Sequence, residues 1–257
     1  MATLYNPNKK RGLFYMPMSG GTGRSTTVPT DPFPFKLKYD VTSGVEKTIT
    51  IGRIQKTNTN PVTVDWGDGQ TEQLTFTGNS AISHTYNSGN TGTAENPIAS
   101  FGEEDDTGRI TGIYYNPTGF DVDLLSIEQW GDAPFTSYNF SKCRNFQLNA
   151  TDKPDLSNCT SLTSMFNACF AFTGNESMKD WDTSNITNMG SMFRDSPNFN
   201  VSALNWDVSN VTTFSTMFYN AGGATTTGVF NGRLDNWDFS AGTSLSNFMH
   251  GQRSFNN

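Results

Sequence analysis

The sequence predicts a mainly β protein in two parts, a sandwich of short strands followed by a solenoid of about five stacked coils. Three observations predict it. Charged residues are only 16% of the chain while Gly, Ser, Thr and Asn are abundant. That composition suits strands and turns, because surface helices carry Glu, Lys and Arg on their exposed faces. Residues 33–115 alternate short apolar runs with turn residues, and the second half repeats one pattern at near-regular spacing. The expected organisation is an extended basic arm over 1–30, a β-sandwich over 31–102, an acidic linker over 103–108 and the repeat array over 109–257.

The 257 residues are long enough for a domain plus an array. The hydrophobic share is 34% and the aromatic share 13%, so Phe and Trp must supply much of the core. In the arm, Lys9, Lys10, Arg11 and Arg24 stand with no acid among residues 1–30, giving +4. Since the whole chain carries −7, the remainder carries −11. This acidic body is unsuited to nucleic acid, which needs a basic surface. The arm reads equally as an anchor for an acidic neighbour, with Lys9, Lys10 and Arg11 as its contacts, or as a solvated tail.

No stretch is apolar enough to cross a membrane, and Met1–Thr30 lacks the apolar segment of a signal peptide. Cys143, Cys159 and Cys169 form neither a disulfide framework nor a Cys-x-x-Cys metal knuckle. A protein made in a reducing cytoplasm and not exported by the general route is expected.

In the first half, strands are expected at Phe35–Val41, Lys47–Gly52, Val62–Trp66, Ile82–Tyr86, Ile98–Phe101 and Arg109–Tyr115. Val62-Thr-Val-Asp-Trp-Gly-Asp-Gly-Gln70 runs an alternating strand into Asp-Gly, the signal of a tight hairpin. Asp65 and Asp68 are read as turn formers. They are only weak calcium candidates, because calcium takes about six to eight oxygen ligands. Glu103-Glu-Asp-Asp106 is read as a solvated linker.

In the second half, Asp155–Phe166, Asp182–Phe193, Asp207–Phe218 and Asp238–Met249 align without gaps as Asp-x-Ser-x-x-Thr-x-Φ-x-x-Φ-Φ, with Φ Leu, Met or Phe. Starts at 155, 182, 207 and 238 give steps of 27, 25 and 31. Phe166-x-x-Cys169-x-x-Phe172 recurs as Phe193-x-x-Ser196-x-x-Phe199 and Met249-x-x-Gln252-x-x-Phe255. It also appears upstream as Phe140-x-x-Cys143-x-x-Phe146, which reveals a first, degenerate coil with Trp130 out of register. Residues 221–228 read as a loop inserted in one coil.

One coil cannot bury its apolar edge, whereas stacked coils bury a continuous core. Equivalent residues should then form two columns. One holds Phe140, Phe166, Phe193, Phe218 and Met249, and the other Trp181, Trp206 and Trp237. If short parallel strands stack, the column spacing is ~4.8 Å. The recurrent Asp and Ser are expected to bond turn amides. The chain stops mid-repeat at Asn257 without a polar capping coil, so either further chain or a partner subunit is expected to cover that end.

Two family resemblances rest on these motifs. Trp181–Phe193, and nearly so Trp206–Phe218, resembles the BspA-like surface-protein repeat, which is related to leucine-rich repeats. The resemblance implies a binding solenoid over about 109–257 with no enzymatic site to carry over. Trp66-Gly-Asp-Gly69 with His84-Thr-Tyr86 resembles the PKD-like, immunoglobulin-like β-sandwich, in which Trp66 and Tyr86 would be core residues. The long stretch Asn87–Pro97 departs from that pattern.

His84 and His250 lie in different halves, and no nucleophile elbow, phosphate loop or dinucleotide fingerprint appears. A non-catalytic structural or binding protein without a cofactor is therefore expected. The combination of arm, sandwich and repeats resembles phage virion proteins: a tail fibre, tail accessory or capsid-decorating protein, oligomeric in its assembly. Its partners would be other virion proteins through the arm and the solenoid end, and a host surface protein or glycan. No nucleic acid and no membrane insertion are expected. The alternatives are a bacterial cell-surface adhesin and a polysaccharide-degrading enzyme.

Overall fold

A computed structural model describes residues 34–42, 45–87, 96–102, 110–115, 123–201, 205–221 and 232–251. The basic arm, the 103–108 linker, the inserted loop beyond Ala221 and the last residues, including Gln252, Phe255 and Asn257, lie outside them. The described chain is mainly β, with ten strands and no α-helix.

The strands are β1 (Phe35–Tyr39), β2 (Lys47–Lys56), β3 (Val62–Asp65), β4 (Thr71–Leu74), β5 (Gly78–Tyr86), β6 (Ile98–Phe101), β7 (Ile110–Tyr114), β8 (Leu124–Gln129), β9 (Ser137–Asn139) and β10 (Gln147–Leu148). They form a six-stranded sheet, β10-β8-β1-β6-β3-β4, and a four-stranded sheet, β5-β2-β7-β9. Strand β1 shows the underlying rule. In Phe-Lys-Leu-Lys-Tyr the apolar residues are buried and both lysines sit on the other face, as the two-residue period of a strand requires. The inward residues of both sheets join one core. Tyr115 donates its hydroxyl to that of Tyr39 across it (2.6 Å), and Phe35 meets Phe135 edge to face at 5.2 Å.

Strands β3 and β4 make the expected Asp-Gly hairpin. Gly67 has φ +77°, and a Cβ there would lie 2.6 Å from the Ile98 carbonyl oxygen, so the turn needs glycine twice over.

The boundary expected at 103–108 does not separate two structures. Strand β7 pairs with β2 in one sheet and β8 with β1 in the other, both antiparallel. Residues 124–148, part of the stretch from about Arg109 expected as a degenerate first coil, supply β8, β9 and β10 to the sheets. Strand β9 then pairs parallel with β7, and β10 parallel with β8. These parallel pairs are the hand-over. Every later backbone bridge between successive repeats, Ser161 to Asn188, Asn188 to Thr213 and Thr213 to Ser244, is parallel too.

Candidate functional site

The repeat begins in each unit with an Asp whose carboxylate accepts from the amide two residues on. Asp155 accepts from Ser157 N (2.9 Å), Asp182 from Ser184 N (3.2 Å), Asp207 from Ser209 N (3.0 Å) and Asp238 from Ser240 N (2.8 Å). The Ser184 and Ser209 hydroxyls donate to the same carboxylates at 2.7 Å. These bonds stabilise the ionised form, so the carboxyls of Asp182 and Asp207 lie below the usual value. Asp238 is lowered likewise, first by the Ser240 amide.

The other recurrent letters act between units. Asn185 donates to the Ser157 carbonyl (3.2 Å), and Asn210 to that of Ser184 (2.8 Å). Thr187, Thr212 and Thr243 donate their hydroxyls to the carbonyls of Thr160, Thr187 and Thr212 at 3.2, 3.1 and 3.0 Å. Thus Asp and Ser shape each turn, while Asn and Thr tie it to the unit before. Ser196 explains how Ser and Cys share a position. Its hydroxyl donates to the Phe166 carbonyl (2.5 Å), as the Cys169 thiol donates to that of Phe140 (3.1 Å).

The aromatic columns form as expected through four units. Phe140, Phe166, Phe193 and Phe218 follow one another at 6.1, 5.9 and 5.5 Å between ring centroids. Phe146, Phe172 and Phe199 run alongside at 5.6 and 5.9 Å. Trp181, Trp206 and Trp237 stack at 5.9 and 6.1 Å. The spacing exceeds the strand-to-strand distance expected from sequence, because ring pairs favour offset contacts with centroids ~4.5–7 Å apart. Two positions deviate. Trp130 meets Trp181 edge-on at 90°, ending that column against the sheets. In the last unit Met249 is only partly buried, and Phe248 approaches Phe218 at 5.4 Å with a 70° tilt.

The structure also reveals a backbone feature that sequence reading missed. Ser164, Ser191, Thr216 and Asn247 share one repeat position and have φ between +54° and +58°. Ala168, Asp195 and Asn220 repeat this four residues on. The left-handed conformation costs a non-glycine residue about 1–2 kcal/mol. It is offset here by bonds to the following unit. Leu162, Ser164, Phe166 and Ala168 donate their amides to the carbonyls of Asn188, Gly190, Met192 and Arg194 at 2.8–3.0 Å. The same four-bond row recurs between the next units. The available signal was the column of small polar residues Ser164, Ser191, Thr216 and Asn247.

Among the described residues, no group of three His, Cys, Asp or Glu side chains could hold a metal ion. The weak calcium candidates serve the hairpin. Asp65 accepts from Gly67 N (2.9 Å), and Asp68 accepts from Gln70 N (3.1 Å) and pairs with His84 Nε2 (3.0 Å). His84 is sandwiched by Trp66, stacked at 4.6 Å, and by the edge of Tyr86 at the same distance. The Tyr86 hydroxyl donates to the Trp66 carbonyl (2.9 Å), and burial pushes its pKa up. All three cysteines are buried and outside any disulfide, and desolvation raises the thiols of Cys159 and Cys169. A surface cleft of about 390 Å³ is lined by Glu128, Gln129, Gly131, Thr151, Asp152 and Lys153. There Asp152 accepts from the amides of Trp130 and Gly131.

The two sheets are continued by a stack of hydrogen-bonded turns in which recurring polar groups hold the backbone. Residues 135–257, just under half of the chain, match the family described as "Mycoplasma protein of unknown function, DUF285". The match covers the repeats that resemble the BspA-like surface-protein repeat. No curated protein and no solved structure matches the chain.

Proposed function

We propose that the chain is a non-catalytic binding and assembly protein, a PKD-like, immunoglobulin-like β-sandwich that carries a leucine-rich-repeat-like solenoid. The observation that carries this reading is the use of the repeat's polar letters. Asp, Ser, Asn and Thr recur because each bonds its own turn or the neighbouring one. A catalytic group would not need to recur once per coil. What recurrence gives is a rigid scaffold with a regular polar face, suited to docking and to end-to-end assembly.

The setting we propose is a phage virion, with the basic arm (Lys9, Lys10 and Arg11) anchored on an acidic particle protein. The solenoid would contact neighbouring subunits or a host surface protein or glycan. Deleting residues 2–30 should abolish incorporation into particles, and normal incorporation would sink the anchoring idea. A second reading, a bacterial cell-surface adhesin, is favoured by the family description, which names mycoplasmas. Labelling of intact producing cells with a membrane-impermeant reagent separates the two, since only an adhesin is reached. Sustained release of reducing ends from host glycans would overturn the non-catalytic reading and favour a polysaccharide-degrading enzyme.

A further inference from the structure

One position of the repeat builds a column of cationic, aromatic and amide side chains. Asn167, Arg194, Tyr219 and His250 directly follow Phe166, Phe193, Phe218 and Met249. Their carbonyls accept from the amides of Lys142, Ala168, Asp195 and Asn220, each one coil earlier, at 2.7–2.9 Å. The side chains meet as well. The Arg194 guanidinium lies 5.1 Å over the Tyr219 ring, and that ring stacks on His250 at 4.8 Å. These neighbours come from the coils on either side, so both faces of Tyr219 are taken. Beside them, the Arg144 guanidinium lies 5.3 Å over the Phe170 ring of the next coil.

Charge is sorted along the coils. This edge carries Lys142, Arg144 and Arg194 against one acid, Asp195, a balance of +2. The recurrent Asp155, Asp182, Asp207 and Asp238 keep to a column twelve residues earlier in the repeat. Asp195 accepts from Arg194 Nε (3.2 Å) and Asn220 Nδ2 (2.9 Å), which fixes the guanidinium and leaves its two terminal nitrogens. Among the described residues, those nitrogens, the Lys142 ammonium, the Tyr219 hydroxyl and the His250 ring nitrogens have no hydrogen-bond partner.

We infer that this edge binds a linear acidic polysaccharide, whose carboxylate or sulfate groups meet Lys142 and Arg194 while its hydroxyls bond Tyr219 and His250. The inference rests on the binding reading above and deepens it. A guanidinium takes such an oxyanion through two parallel bonds, and the neighbouring charges favour its approach. A polymer of identical units satisfies groups presented at a constant step, which an acidic protein surface does not. The apolar anchors of a protein interface are also missing, since Val45, Ile98 and Leu245, the exposed large hydrophobics, lie outside these columns. Single-stranded nucleic acid needs open ring faces for its bases, and those of Tyr219 are covered.

The test titrates the full chain with polygalacturonate, dextran sulfate, plain dextran, polyglutamate and single-stranded DNA, by calorimetry at low salt where charge is least screened. Binding of polygalacturonate assigns carboxylates and binding of dextran sulfate assigns sulfates; either supports the inference when dextran does not bind. Lys142→Ala/Arg194→Ala should weaken that binding about tenfold. Lys36→Ala/Lys38→Ala, which removes equal charge from the outer face of β1, should leave it unchanged. Tyr219→Phe removes only the hydroxyl and should weaken binding about threefold, which keeps the test decisive if the first variant does not fold. Equal losses from the two double variants would show binding to net charge alone and overturn the inference. Polyglutamate or DNA bound as tightly, or no polymer bound at all, overturns it too. Binding that persists while reducing ends are released from polygalacturonate supports the edge and sinks the non-catalytic reading instead.

Discussion

Replacing Phe193 with alanine tests the stacked columns at their centre. The side chain is fully buried and touches the rings of Phe166 (5.9 Å), Phe199 (3.9 Å) and Phe218 (5.5 Å), with Trp206 at 6.3 Å. A buried Phe→Ala change costs about 3–5 kcal/mol, since transfer and cavity terms add. Each lost ring pair adds ~0.5–1.5 kcal/mol beyond area burial, which places this site near the upper end. The unit spans Asp31–Asn257, a size for which 1 kcal/mol moves the melting temperature by about 2–4 °C. Phe193→Ala should therefore lower it by about 10–15 °C in differential scanning calorimetry. Phe193→Leu keeps most of the volume and should cost about 1–2 kcal/mol. Phe248→Ala, at the partly buried end, should cost clearly less than Phe193→Ala. A loss below about 1 kcal/mol for Phe193→Ala would refute the columns as the core of the repeat.

Three further outcomes are expected. Gly67→Ala forces a Cβ against the Ile98 carbonyl in a left-handed turn and should cost more than about 2 kcal/mol by urea denaturation, whereas Gly69→Ala, with open space around it, should cost less. Asp182 and Asp207 are held below the usual 3.8 by their serine partners, so their turns stabilise the fold above that pH and lose this as pH falls below it toward the folded values. The double variant Asp182→Ala/Asp207→Ala should show a shallower loss of stability below pH 3.8, and acid curves parallel to the parent's would contradict the Asx-turn assignment. The three thiols should resist a water-soluble disulfide reagent in the native protein and react fully in denaturant, because all are buried and two are raised by desolvation.

How much of this was legible in the sequence depended on whether the cause was local. Strands β1 and β3 follow from apolar alternation, and the coil starts from a fixed Asp-x-Ser spacing. Strand β4, Thr-Glu-Gln-Leu, has a single buried residue at a sheet edge, so no alternation announced it. Residues 124–148 carry the letters of the repeat in Trp130 and Phe140, yet their strands pair with β1 and β7. Such pairing is set by distant partners and leaves no local period. The aromatic columns were legible because burial dictates residue type. The donor rows were not, since Ser164 or Thr216 in a left-handed conformation looks like any other turn residue.

The central claim is that the chain works as part of a larger assembly. Its most direct test is sedimentation of native material from the cells or particles that make it, with its copy number measured by quantitative mass spectrometry. The account predicts a high-mass complex in which the chain keeps a fixed ratio to a partner through successive purification steps. A free monomer at every step would contradict it.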